Sequence, residues 1–250
     1  MSPAKNKPLS KKEAPPRAVR LILEQLSLAM MLEDPLVPGQ KIGDSVGVYA
    51  YYDFDEEPIY VGQTSSTFRD RVGRHLTGQR SDAVGKFILD PFEVAEVALY
   101  SVPAVVTLRH ATDATKEAST AAKKKLLNPY EYTVYEELRR ASQFGAVLNE
   151  QSIKPTELVE LPAPIRVKII PADMWADRSH RDVRIARRAS TLARLAQSTS
   201  ERQVSPGLRR TLLLQAERLA WLTKVRVAEL GIAVASADEA VIPLGGDDSE

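Results

Sequence analysis

The chain contains no cysteine among its 250 residues. A disulfide framework, a thiolate zinc site and a cysteine nucleophile are therefore excluded, and several classes of enzyme with them. It also lacks any apolar run near the roughly 20 residues that a membrane span needs. The first residues are basic and rich in proline, but no short apolar core with a small-residue cleavage site follows them. We therefore expect a cytoplasmic protein with no membrane partner.

The chain also lacks a large excess of either positive or negative charge. The formal net charge of +1 gives no global signal for a nucleic-acid partner, so any such signal must come from the distribution of charge along the chain. The hydrophobic fraction of 44% and the charged fraction of 27% are ordinary for a globular protein. A folded chain of this length buries roughly 70–75% of its extended surface, which allows one domain and a second small one.

Apolar periodicity predicts an α/β (α+β) fold in which helices flank a small antiparallel sheet of three strands, followed by a C-terminal helical hairpin. The predicted strands are residues 47–52, 59–61 and 92–100. The predicted helices are residues 17–33, 64–76, 114–127, 130–143, 177–197 and 207–230. Asn128-Pro129 separates the third helix from the fourth, because proline interrupts helical hydrogen bonding.

Four segments are expected along the chain. Residues 1–16 have too few apolar groups to offset the entropy of ordering and are predicted to be a flexible basic tail. Residues 17–170 form the main domain, whose end we place at the extended, proline-bounded segment 161–171. Residues 171–235 form a helical unit, and residues 236–250 form a second mobile tail.

Two tyrosines occupy equivalent places on the two strands of the predicted hairpin. Tyr49 and Tyr60 each alternate with apolar neighbours, so both rings are expected on one face of the sheet. A phenol there can hold or deprotonate a water. On the helix that follows, Arg71 and His75 are four residues apart and therefore share one side. A guanidinium can neutralise charge on a phosphoryl group, and an imidazole can move a proton.

Two adjacent carboxylates lie on a later predicted helix. Glu136 and Glu137 offer the hard oxygen ligands that Mg²⁺ prefers. On a helix they point about 100° apart, so only one of them can face a given pocket. The residues alone leave both as candidate ligands.

These residues occur in the order of the motifs of GIY-YIG nucleases, a family that the chain resembles over about residues 46–150. The resemblance is carried by GVY at 47–49, YVG at 60–62, RDRVGRH at 69–75, a glutamate on a later helix and Leu148-Asn149. The family includes homing endonucleases, the incision subunit of bacterial nucleotide-excision repair and some restriction endonucleases. The resemblance implies that Tyr49 and Tyr60 are the motif tyrosines and that Arg71 is the essential arginine. It implies that His75 is an accessory proton-transfer or phosphate contact. It also implies that Glu137 is a ligand for Mg²⁺ or Mn²⁺ and that Asn149 is a structural or site-closing asparagine.

The chain departs from the family pattern at two points. The segment from Tyr60 to Arg71 is one residue longer than the commonest spacing, which leaves Arg69 as a competitor for the arginine role. The lysine that often follows YVG or YIG is here Gln63, so the role of that lysine is open.

The predicted C-terminal hairpin carries a basic stripe. Arg181, Arg184 and Arg188 follow three- and four-residue spacing, which gathers positive charge on one helical face. We expect this face to contact phosphates of DNA, with Lys124 as a further contact. The alternative is a charged helix whose arginines are satisfied by acidic residues elsewhere, including those between 53 and 57. The last helix is the alternative surface for a homodimer.

The sequence therefore predicts a metal-dependent endonuclease that hydrolyses phosphodiester bonds. DNA is the expected substrate, and RNA is the alternative. Restriction or another host-defence role is the first biological expectation, because no repair-subunit domain follows the nuclease, and homing or repair stays open. The rival hypothesis is a catalytically silent nucleic-acid-binding protein with the same fold.

Overall fold

The computed structural model describes residues 16–76, 90–107 and 116–233, with side chains at all of these except 74–76, 106–107 and 116–120. The two predicted tails, residues 1–16 and 236–250, lie outside the described residues apart from Pro16.

A four-stranded antiparallel sheet forms the centre of the fold, in the order β2-β1-β3-β4. The strands are β1 (Gly47–Tyr52), β2 (Pro58–Thr64), β3 (Glu96–Ser101) and β4 (Ile165–Lys168). The sequence predicted only three. The fourth strand comes from the proline-bounded segment, which alternates apolar and basic residues and pairs with the outer edge of β3, Leu99 opposite Ile165.

Helices cover both faces of the sheet. They are α1 (Arg17–Ala29), α2 (Phe68–Leu76), α3 (Ala104–Thr107), α4 (Lys116–Ala141), α5 (Ala172–Ser179), α6 (Arg181–Glu201) and α7 (Pro206–Glu229). Within the described ranges, none of them combines the length and the apolar character that crossing a membrane would require.

Helix α4 is a single helix, although the sequence predicted a break at Asn128-Pro129. Proline removes one backbone N–H from the ladder, and tertiary packing outweighs that loss. Leu127 before it and Val134 after it are both fully buried, so each half of the helix is held against the protein. Thr133 Oγ1 also donates a hydrogen bond of 2.7 Å to the carbonyl oxygen of Pro129.

The two faces of β1 belong to different cores. Tyr49 and Tyr51 lie in the larger core beneath α1 and α2, with Leu214 of α7 in the same cluster. Val48 and Ala50 face α4 on the other side of the sheet. Every residue of β1 is buried, as expected for an inner strand that is covered on both faces.

Candidate active site

The two motif tyrosines meet on one face of the β1–β2 pair. Tyr49 is the register partner of Gly62, and the ring centroids of Tyr49 and Tyr60 are 6.3 Å apart. A Cβ added at Gly62 would lie 2.6 Å from Tyr49 Oη and 2.9 Å from Tyr60 Cε1. The missing side chain therefore lets the ring of Tyr49 lie across β2 beside that of Tyr60.

Two adjoining cavities of about 580 and 510 Å³ lie at the outer edge of β2, and we call them together the edge groove. Five residues line both cavities: Tyr60, Arg71, Lys124, Glu131 and Gln151. Tyr49 lines the second cavity and Asn149 the first. The groove therefore collects polar side chains from β1, β2, α2, α4 and the segment after α4.

The structure separates the two competing arginines. Arg71 lines the edge groove. Arg69 points elsewhere, since its Nη2 donates to the carbonyl oxygen of Met30 at 3.2 Å and its Nε to Asp44 Oδ1 at 3.4 Å. Of these two arginines, Arg71 is therefore the one that a phosphate in the groove could contact. The side chain of His75 lies outside the described residues.

Glu131 is the carboxylate that lines both cavities of the groove, and sequence reasoning missed it. Gln63 Nε2 donates to Glu131 Oε2 and to Asn128 Oδ1, both at 2.8 Å. Lys124, Asn128 and Glu131 are spaced four and three residues apart and so form one stripe of α4. This stripe was the available signal, but it is visible only when the helix is continued through Pro129.

The expectation that Glu137 holds a metal beside Arg71 is corrected by the structure. Glu137 is exposed, and the groups it influences are the hydroxyls of Tyr52 and Tyr100, which belong to the α4 side of the sheet. It lies six residues after Glu131 and therefore about 240° further round the helix.

The alternative carboxylate, Glu136, also lies outside the groove. Its two oxygens accept hydrogen bonds from Arg139 Nε and Nη2 at 3.2 and 3.0 Å. Of the three glutamates of α4 with described side chains, Glu131 is therefore the one that shares the groove with Arg71.

Burial gives Glu131 an unusual titration. It raises the pKa of the Glu131 carboxyl from 4.5 to about 7, while hydrogen bonds from Gln63 and the charge of Arg71 act in the opposite direction. Ionised and protonated forms are therefore comparably populated near neutral pH. Such a group can accept or donate a proton, and its ionised form can bind a cation.

The groove has donor atoms that suit a hard dication. Gln63 Oε1 is buried and accepts no hydrogen bond within the described part of the chain, and it belongs to the side chain that bonds Glu131. Mg²⁺ is commonly held by one or two carboxylates together with substrate phosphates. Among the side chains that the structure describes, no cluster of three or more histidine and acidic residues is suited to a metal. Glu131 and the amide oxygen of Gln63 are oxygen donors of the kind that Mg²⁺ or Mn²⁺ accepts together with a phosphate.

Asn149 extends the sheet with its side chain. Its Nδ2 donates to the carbonyl oxygen of Val61 at 2.8 Å, and its Oδ1 accepts from the backbone N–H of Val61 at 3.1 Å. The preceding residue continues the pattern, because the N–H of Leu148 donates to the carbonyl oxygen of Ile59 at 2.9 Å. Asn149 therefore satisfies the backbone of β2 at the point where the groove begins.

The prediction that α6 contacts DNA through Arg184 and Arg188 is wrong, because both side chains are buried, at 1% and 5% exposure. Arg188 Nη2 donates to Asp53 Oδ2 and Arg184 Nη2 to Asp55 Oδ2, each at 2.6 Å. Arg181 is paired with Asp55 and with a glutamate of α7. The alternative reading is confirmed for these three arginines, since each pairs with Asp53 or Asp55 of the β1–β2 loop.

The start of α7 supports the far wall of the groove. A Cβ added at Gly207 would lie 1.9 Å from the carbonyl oxygen of Glu150, so the helix backbone packs directly on that residue. Ser205 Oγ contacts Glu150 Oε1 at 3.3 Å, and Arg210 Nη2 donates to Ser152 Oγ at 3.2 Å. The α6–α7 hairpin thus holds the β1–β2 loop at one place and the groove wall at another.

Comparison of the chain with protein-family models, with curated proteins and with solved structures gave no match in any of the three.

Proposed function

We propose that this protein is a metal-dependent endonuclease of the GIY-YIG type that hydrolyses phosphodiester bonds in DNA. The presence of Arg71 and Glu131 in one groove with Tyr60 supports this function most directly. A guanidinium, a carboxylate with a pKa of about 7 and a phenol are the groups that phosphodiester hydrolysis calls for.

Each groove residue has a separate task in the proposed reaction. Arg71 binds the phosphate and neutralises the charge that develops on it. The hydroxyls of Tyr60 and Tyr49 orient the attacking water. Tyr49 relays the proton of this water, because its Oη accepts that proton as its own hydroxyl proton passes to solvent. Gln63 fixes the carboxylate of Glu131 by hydrogen bonding.

Glu131 and the amide oxygen of Gln63 are the residues that would hold Mg²⁺ or Mn²⁺. When bound, the cation supplies Lewis-acid stabilisation of the phosphoryl and leaving oxygens. The carboxylate must be ionised for this purpose, and a dication favours that form.

The decisive experiment incubates purified protein with supercoiled plasmid, with Mg²⁺ or with a chelator. We expect nicking that the chelator abolishes. Glu131→Gln keeps the volume of the side chain but removes its charge, so cleavage should fall by about two orders of magnitude or more. Glu137→Gln is the matched control on the same helix and should cut normally. The opposite pattern would refute the assignment of Glu131 to the site.

The two arginines allow a second matched comparison. Arg71→Ala should lower the cleavage rate by roughly 10²–10³, the usual cost of removing one donor to transition-state charge, and leave DNA binding largely intact. Arg69→Ala should retain cleavage, because Arg69 contacts Met30 and Asp44 outside the groove. DNA binding without nicking by the unaltered protein under any metal condition would favour the catalytically silent alternative.

A further inference from the structure

The edge groove continues past the residues that we assign to the reaction. Beyond Asn149 it is lined by residues 150–154, which end in Lys154. Lys124 of α4 lines the same cavity and is exposed, as is Lys154. The groove therefore has two lysines in addition to Arg71.

Lys124 and Lys154 differ in their ionic partners from Arg184 and Arg188 of α6. Among the described residues, neither Lys124 nor Lys154 has an ion pair with a carboxylate, whereas Arg184 and Arg188 of α6 do. A lysine that keeps its charge on a concave surface attracts anions, and an arginine neutralised by buried aspartates does not. The edge groove thus offers exposed positive charge, which the buried Arg184 and Arg188 of α6 do not.

The wall that carries Lys154 is anchored. Glu150 packs against the backbone of Gly207, and Ser152 accepts a hydrogen bond from Arg210. A phosphate contact on this wall would therefore be held at a fixed place relative to Arg71. Contacts of this kind set the register of a nucleic-acid strand without reading its sequence.

We propose that Lys124 and Lys154 form a second phosphate subsite, which binds the DNA backbone next to the phosphate held by Arg71. The choice of DNA as the bound polymer rests on the proposed function. The subsite aligns the strand so that one phosphodiester is presented to Arg71 and Glu131.

The test measures the binding of a short fluorescein-labelled DNA duplex by anisotropy, with chelator present so that cleavage does not interfere. Lys124→Ala and Lys154→Ala should each weaken binding, and each should reduce the slope of log K against log salt by about 0.9. Lys125→Ala and Lys224→Ala are matched controls. Lys125 is next to Lys124 but lines a different cavity, and Lys224 lies on α7 outside the groove. Both should leave the slope unchanged.

The outcomes separate this proposal from the proposed function. An unchanged slope in both groove variants overturns the subsite, even if the protein cuts plasmid with Mg²⁺. An equal loss in the control variants also overturns it, because the effect would then be general surface charge. Tighter binding to an RNA duplex overturns the choice of DNA. A reduced slope confined to the groove variants supports the subsite, and a lack of nicking in the same protein would then contradict only the nuclease.

Discussion

At the scale of single residues, the environment of Glu131 shows how position decides the chemistry of a carboxylate. The chain places three glutamates on α4 within seven residues, and their side chains have different surroundings. Glu136 pairs with Arg139, Glu137 is exposed, and Glu131 is enclosed in the groove with Gln63 as its donor. Enclosure moves the pKa of the Glu131 carboxyl into the range that is useful near neutral pH.

The raised pKa of Glu131 predicts a pH-dependent stability in metal-free protein. Folding disfavours the ionised form of Glu131. The contribution of this carboxyl to stability is therefore fully present below pH 4.5, its ordinary pKa, and is lost as the pH rises through about 7. Relative to Glu131→Gln, the unaltered protein should lose up to about 3 kcal/mol over this interval. Urea unfolding across the interval, with chelator present, provides the measurement.

Glu137→Gln is the control for this pH experiment, because Glu137 lies on the same helix but is exposed and outside the groove. Its stability should follow that of the unaltered protein at every pH. Parallel curves for the unaltered protein and Glu131→Gln would show that the groove does not perturb this carboxyl.

At the scale of elements, close approaches at glycine determine the geometry of the β1–β2 pair. A Cβ at Gly47 would lie 2.0 Å from the carbonyl oxygen of Tyr100 on β3, which leaves no room for a side chain. At Gly62 the nearest atoms belong to the side chains of Tyr49 and Tyr60. Each motif therefore needs its glycine for a steric reason. At Gly47 the backbone of β3 is too close for a side chain, and at Gly62 the two tyrosine rings occupy the space.

Gly62→Ala should therefore disturb the site more than the fold. The new methyl group would displace the two tyrosine rings, at a cost of about 1–3 kcal/mol for overpacking, and cleavage should slow with retention of secondary structure. Near-ultraviolet circular dichroism and plasmid nicking measure the two effects.

Gly73→Ala is the matched control on α2, where a Cβ would meet Leu26 Cδ2 at an ordinary 3.7 Å. It should be neutral or stabilise the protein by up to about 1 kcal/mol through helix propensity. If Gly62→Ala behaved like Gly73→Ala in both measurements, the close packing of the rings on Gly62 would be disproved.

At the scale of the whole molecule, buried ion pairs join the α6–α7 hairpin to the sheet. Asp53 follows β1 directly, and its Oδ2 accepts hydrogen bonds from Arg188 at 2.6 Å and from Arg218 at 2.8 Å. Its Oδ1 accepts from the backbone N–H groups of Asp55 and Glu57, which fixes the β1–β2 loop. One aspartate thus connects the loop between the two tyrosine strands to both helices of the hairpin.

Asp53→Asn should be strongly destabilising for this reason. It leaves two buried guanidinium groups without their shared counter-charge, a change that typically costs about 3–5 kcal/mol. Chemical denaturation followed by circular dichroism would measure the loss. Asp182→Asn is the control, since Asp182 pairs with Arg226 at an exposed position and should change stability little. Equal effects of the two variants would be inconsistent with a buried network at Asp53.

Local sequence determined much of this protein. The period-two pattern of β1 and β2, the shared face of Tyr49 and Tyr60 and the helix carrying Arg71 all follow from spacing within a few residues, and the structure contains each of them. Periodicity works there because neighbouring residues alone decide which face of a strand or helix a side chain occupies. The helices of the C-terminal hairpin were predicted for the same reason.

Tertiary structure decided the features that depend on distant partners. Helix α4 runs through Pro129 because packing on both sides outweighs one lost hydrogen bond, and that continuity places Glu131 in the groove in place of Glu137. The arginines of α6 looked like a DNA surface until the fold brought them against Asp53 and Asp55, over 120 residues earlier in the chain. A charge is available to a ligand only if the fold leaves it without a closer partner, and spacing along the chain carries no information about such partners.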